Sequence, residues 1–378
     1  MSTAEDWPAA AGSATITEDP PTPAGSARPR RRLLAIAAAA ALVAGAGTAW
    51  ATTAGAGTAS TLTTSQIVAK TRPGVVDVVS TLGFRGATAA GTGIVLTSSG
   101  EVLTNNHVID GATAIKVRDV GNGRVYTASV AGYDAAHDVA VLRLNGASGL
   151  ATADLGNSSA VKTGQKVVAM GNAGGKNGAP SVATGQVTGL DESITASDES
   201  SGSSEQLQGL IRTNAGIEPG DSGGPLINTH GQVIGVNTAA SATSGNQLSS
   251  ATTTRAFTIP INDALSIARR IDAGTASATT HIGATAFLGI ATTPAAGVPG
   301  LPGGAAVAGV QQGSAAAAAG LTAGDEITSV GGHAVTSPSG IRSVLGQYHP
   351  GDKISLTWTD QAARSHSATV VLSTGPAG

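Results

Sequence analysis

The chain has 378 residues, room for two domains and tails, with a formal net charge of −3 and no cysteine. That charge gives no electrostatic case for nucleic acid, and the missing thiols exclude disulfides, a cysteine nucleophile and thiolate metal sites. With 53 glycines and 2% aromatic residues, the core must come from Val, Ile, Leu and Ala, a composition suited to short strands joined by tight turns.

Residues 1–27 are rich in Ala, Pro, Ser and Thr without hydrophobic periodicity, which predicts disorder. Arg28, Arg30, Arg31 and Arg32 then precede 19 uncharged residues, 33–51, about the length that spans a bilayer. Arginines stay on the cytoplasmic side. The pattern predicts a cytoplasmic tail (1–32), a single-pass signal anchor (33–51) and an extracytoplasmic remainder at the cell membrane. A leader cleaved after Ala49-Trp50-Ala51 is the competing expectation.

After a small-residue linker (52–63), residues 65–70 suit one helical turn. Short apolar runs at 75–79, 93–96, 102–104, 114–117, 140–144, 166–170, 185–190 and 233–236 read as strands of an all-β barrel or sandwich. Past Pro260, residues Ile261, Ala264, Leu265, Ala268 and Ile271 recur at helical spacing and close a first domain over 64–272. A second linker (273–281) leads to a second domain over 282–375.

The chemistry concentrates in Gly220-Asp221-Ser222-Gly223-Gly224-Pro225. Glycines around the serine let the backbone turn tightly and aim the amides of Gly220 and Ser222 at one point, an oxyanion hole. A serine hydroxyl needs a base, and the base needs an orienting carboxylate. His107 follows a strand in Thr104-Asn105-Asn106-His107-Val108-Ile109; His137 stands beside Asp138 at the head of Asp138-Val139-Ala140-Val141-Leu142. Taken alone, Asp138 also reads as a plain strand-start residue.

Taken together, these three motifs resemble the HtrA family of trypsin-like serine proteases. The resemblance covers residues 64–375 and implies a mainly β architecture, a double β-barrel protease followed by a small α+β PDZ domain. It implies His107, Asp138 and Ser222 as catalytic residues, with the amides of Gly220 and Ser222 as the oxyanion hole and His137 pointing away. Gly235-Val236-Asn237-Thr238 resembles the strand that holds the substrate backbone, which makes Val236 and Asn237 substrate-binding residues. Ala256-Phe257-Thr258-Ile259-Pro260 resembles the family's last strand. Gly216, beside Ile217 in the specificity pocket, stands where a trypsin-like pocket carries its acid, so cleavage after small or medium apolar residues is expected.

Two positions depart from the family. Asp221 replaces the usual Asn, as in digestive trypsin-like enzymes, and needs a partner other than a new N-terminus. Asn214 replaces an Asp found in many relatives. The Ser-rich, acidic stretch 191–208 reads as a solvated loop, in the position of the family's activation relay.

Farther on, Phe287-Leu288-Gly289-Ile290 resembles the carboxylate-binding loop of PDZ domains. Ser314 should cap a short Ala helix stopped by Gly320, and 337–345 should form the groove helix with Ile341 and Leu345 as pocket residues. The expected activity is a serine endopeptidase acting on misfolded or signalling proteins outside the membrane, with no cofactor and no metal, assembled as a homotrimer. The rival from another class is a chaperone or peptide-binding scaffold that grips chains without cutting.

Overall fold

The computed structural model describes residues 15–17, 61–83, 86–175, 178–198, 203–241, 255–294 and 304–377. The expected anchor at 33–51 lies outside the described residues. Among the described residues no helix is long and apolar enough to cross a membrane. Three residues of the expected cytoplasmic tail, Thr15–Thr17, form a strand on the outer edge of the protease domain, pairing with residues 195–197.

Thr63 caps the helix Thr64–Thr71 through a reciprocal box with Gln66, so the single turn expected there grows to eight residues. Six antiparallel strands then close a first barrel in the order Val75–Leu82, Ala87–Val95, Glu101–Thr104, Val139–Leu144, Val125–Asp134 and Ala114–Asp119, the last returning to the first. Six more close a second: Lys166–Gly171, Ser181–Asp198, Ser203–Thr213, Arg255–Pro260, Val233–Ser241 and Pro225–Asn228. Closure removes the free sheet edges that invite aggregation. Phe257, Ile94, Leu103 and Val141 are buried together with the inner face of the helix Ile261–Asp272, whose Ile261, Ala264, Ile267, Ala268 and Ile271 follow the expected spacing.

Three expectations need correction. Val125–Asp134 was not foreseen, because its Thr, Ala, Ser and Gly dilute the apolar signal and a register shift between Val130 and Gly132 breaks the alternation. Within 191–208, residues 194–198 pair antiparallel with residues 203–207 instead of lying as a solvated loop; Ile194 and Leu207 are buried in the core. The second linker ends early: Thr280–Ile282 adds a strand to the first barrel's sheet, opposite residues 132–134. There the Thr279 and Thr280 hydroxyls donate to the buried Asp134 carboxylate at 2.8 and 2.7 Å, holding its pKa below the usual carboxylate range against the pull of burial.

The second domain is a sheet ordered Ile290–Pro294, Ala305–Val310, Glu326–Val330, Lys353–Thr359 and Ser365–Val371. The helices Ala315–Ala319 and Pro338–Leu345 flank it, the first capped by Ser314 as expected and the second capped by Ser337. The chain then returns to the first barrel. Ala377 exchanges backbone hydrogen bonds with Gly111 (2.7 Å) and Ala112 (2.9 Å), just past the turn that carries His107.

Candidate active site

His107 sits on the short helix Asn106–Ile109, directly after the strand Glu101–Thr104. Its ring Nδ1 lies 2.9 Å from Asp138 Oδ2, and its backbone N–H donates to Asp138 Oδ1 at 3.0 Å. Asp138 is buried, and Thr238 Oγ1 donates to its second oxygen. Asn105 Nδ2 holds the Asp138 carbonyl at 2.9 Å. A carboxylate loaded with three donors is fixed in place and can fix an imidazole tautomer in turn.

The turn before the strand keeps His137 out of the pair. Ala135–His137 form a 3₁₀ turn, and Asp138 ends it in a left-handed conformation, φ +53°. This rotates Asp138 inward while His137 Nδ1 pairs with Asp134 at 2.7 Å and the ring stays more than half exposed. Asp tolerates that backbone better than most residues, because its short polar side chain bonds locally.

The nucleophile loop comes from the second barrel and is bound to the first. Ser222 accepts from Thr92 N–H at 2.8 Å through its carbonyl. Thr92 Oγ1 donates to the Gly220 carbonyl at 2.7 Å and accepts from Asn172 N–H at 2.9 Å. Gly174 N–H donates to the Pro219 carbonyl at 2.8 Å, which turns the N–H of Gly220 to the opposite side of that planar peptide. Gly220 has φ +100° and Gly223 φ +85°, and a Cβ on Gly223 would run into the Thr92 carbonyl. The amides of Gly220 and Ser222 donate to no acceptor among the described residues. The Ser222 hydroxyl donates to the Thr238 carbonyl at 3.2 Å, so Thr238 touches both the serine and the aspartate.

The specificity residues divide. A Cβ on Gly216 would meet nothing within 4 Å, so this position faces open space. Ile217, by contrast, is buried in the second barrel's core with Ala169, Ile211 and Leu226. Val236 and Asn237 are also buried: Val236 lies between Pro225 and Ile259 in the sheet, and the Asn237 N–H donates to Gly224 while its carbonyl accepts from Gly223. The partner strand Pro225–Asn228 stops opposite Val236, so residues 239–241 pair with described residues on one side only, along 255–257. That open side starts two residues after Asn237. Asn214, the second departure, uses its side-chain oxygen to accept from Gln186 N–H at 2.8 Å.

In the second domain Leu288 is buried in the core, and its carbonyl accepts from Ala316 N–H at 2.9 Å. Phe287 pairs with Ser373, and Ile290 starts the strand that follows. The amides of Leu288 and Gly289, the latter at φ +80°, meet no acceptor among the described residues, the arrangement a carboxylate-binding loop needs. Ile341 and Leu345 face the domain core and are buried, at 5% and 9% exposure.

Residues 91–236 match a family model described as a trypsin-like peptidase domain, and residues 286–365 match a PDZ domain. The serine protease Do-like HtrA of Lactococcus lactis is 34% identical over 75% of this chain and 70% of its own length. This chain belongs to the HtrA family of trypsin-like serine proteases. The serine protease PepD of Mycobacterium tuberculosis is 33% identical over 81% of this chain. The Do-like HtrA of Lactobacillus helveticus is 33% identical over 71%. The chain spans only 65% and 64% of those two relatives' lengths. Among solved structures, HtrA-type protease AlgW with tripeptide is 27% identical, over 83% of this chain and 98% of its own, at a TM-score of 0.48.

The motifs thus led to His107, Asp138 and Ser222 but missed two hydroxyls. Thr238 ends the string Gly235-Val236-Asn237-Thr238, and Thr92 stands just before the run 93–96; a hydroxyl residue beside each of these strands was the available signal.

Proposed function

We propose that this HtrA-family chain is a serine endopeptidase. The observation that carries the proposal is the pairing of His107 with the buried Asp138, joined through Thr238 to a serine whose loop offers two amides with no acceptor among the described residues. Rotation of the Ser222 hydroxyl from Thr238 toward His107 readies it for attack on a peptide carbonyl. His107 takes the proton and later returns it to the leaving amine; Asp138 stabilises the imidazolium. The amides of Gly220 and Ser222 receive the negative charge on the former carbonyl oxygen. Water then hydrolyses the acyl-enzyme by the same route.

Small or medium apolar residues enter the pocket beside Gly216, and the substrate backbone pairs along residues 239–241. The PDZ loop receives peptide C-termini through the amides of Leu288 and Gly289. The natural substrates are misfolded or signalling proteins outside the cytoplasmic membrane, reached by a homotrimer held there by residues 33–51. Protease protection of an N-terminal tag in whole cells tests that placement: a tag degraded from outside supports the Thr15–Thr17 pairing and rejects the cytoplasmic tail.

Casein hydrolysis tests the chemistry directly. The parent chain cuts casein, and Ser222→Ala lowers kcat by roughly 10⁵-fold or more, as expected when the nucleophile is removed. Undiminished cleavage by that variant rejects the assignment and leaves the scaffold reading.

A further inference from the structure

We infer that Ser181 is a positioning residue for the oxyanion loop, taking the part that a new N-terminal ammonium plays for the equivalent acid of digestive trypsin-like enzymes. The inference rests on the peptidase reading above. Asp221 is buried directly behind the nucleophile and carries no ion pair with a described residue. Its Oδ1 accepts from Ser181 Oγ at 2.5 Å and its Oδ2 from Glu218 N–H at 3.0 Å. Ser181 Oγ in turn accepts from Ala173 N–H at 3.2 Å, so its single proton is committed to Asp221.

The relay therefore runs from the Ala173–Gly175 turn through Ser181 to the residue before the nucleophile. The same turn holds the Pro219 carbonyl through Gly174 N–H, the contact that leaves the Gly220 amide turned outward. Space around the acid is tight. A Cβ on Gly171 would lie 2.5 Å from Asp221 Cα, so glycine is needed where this strand passes the acid.

Burial is the largest influence on Asp221 and raises its pKa, while the Ser181 and Glu218 donors pull it down; the Glu218 charge pushes it up. Gly171, Ala173 and Ser181 bring no charge from the neighbouring elements. A neutral carboxyl accepts these donors poorly, so activity should fall with acid as Asp221 takes up a proton. Removing the Ser181 hydroxyl removes a lowering influence, so the fall begins at higher pH.

The experiment compares Ser181→Thr with Ser181→Val in the full chain, two side chains of one shape that differ in the hydroxyl. Folding is checked by circular dichroism, and kcat/KM for a casein-derived peptide is followed against pH. Ser181→Thr should keep the parental profile. Ser181→Val should lose about tenfold at neutral pH, mainly in kcat, with its acid limb displaced upward. In an Asp221→Asn background, which cannot titrate, the Ser181→Val change should no longer shift the limb. Coincident profiles for the parent and Ser181→Val overturn the inference, as does an equal shift in the Asn background. An inactive parent instead overturns the peptidase reading. Should Ser181→Val not fold, the Asp221→Asn profile decides alone: an acid limb identical to the parent's overturns the inference.

Discussion

The two halves of the cleft are finished in opposite ways. On the first barrel, the Asp138 side chain is loaded with donors from His107 and Thr238, and Asn105 holds its carbonyl. On the second barrel, carbonyls are the occupied groups: Pro219, Gly220 and Ser222 each accept a hydrogen bond, while the amides of Gly220 and Ser222 stay open. Saturation on one side holds a base in a single tautomer. Openness on the other keeps donors in reserve for charge that exists only during reaction, which is where binding energy accelerates chemistry.

Removing the charge on the saturated side should have the largest effect. Asp138→Asn keeps the shape but presents an N–H to the imidazole and to Thr238, so the wrong tautomer is favoured. We expect kcat to fall about 10⁴-fold with the fold intact. Stopped assays and circular dichroism check both halves of that statement. A loss under tenfold would show that Asp138 does not orient His107 and would break the comparison on its stronger side.

A smaller effect is expected where the open side is braced. Thr92→Val keeps the volume and deletes the hydroxyl that donates to Gly220 and accepts from Asn172 N–H. Both partners are then left without this contact in a buried setting, at about 1–3 kcal/mol in stability. The Gly220 peptide is freed to turn, so kcat should fall about tenfold while KM changes little. Thermal melts and steady-state kinetics with a peptide substrate separate the two losses. Lost stability with unchanged kcat would mean that Thr92 only packs the barrels together.

The sequence made these two sides unequally legible. Glycines announce a serine loop because only they tolerate its backbone, as Gly220 and Gly223 do at positive φ. The pairing of His107 with Asp138 was legible only through the order of motifs, since 31 residues separate them and His137 is the nearer neighbour in the chain. What decides between the two histidines is the left-handed turn at Asp138, which composition does not announce. Strands rich in Val and Ile were plain, whereas Val125–Asp134 was hidden by its small polar residues. Ser181 carried no local signal, because its role depends on a hairpin laid against Asp221 forty residues later. Nothing in the sequence signalled where Pro225–Asn228 stops pairing, and that end decides which residues of the neighbouring strand are left with an open side.

The mildest test lies within the first barrel and contrasts a carboxylate that is not saturated. Asp77 is buried opposite Arg118, whose Nη1 lies 3.0 Å away, on strands paired in register. Burial outweighs that one cation and raises the Asp77 pKa from 3.8 to about 6. The unfolded chain therefore ionises this group first as pH rises. Below the unfolded value of 3.8 the carboxyl is neutral in both states and costs nothing; between 3.8 and about 6 the unfolded state gains, and stability falls as pH rises. Asp77→Asn removes that slope. The variant should gain on the parent by an amount of order 1–3 kcal/mol between pH 4 and pH 7, read from urea unfolding at each pH. A gap that stays constant over this range would show that Arg118 compensates Asp77 fully. The contrast between a barrel acid held by donors and one merely tolerated beside a cation would then disappear.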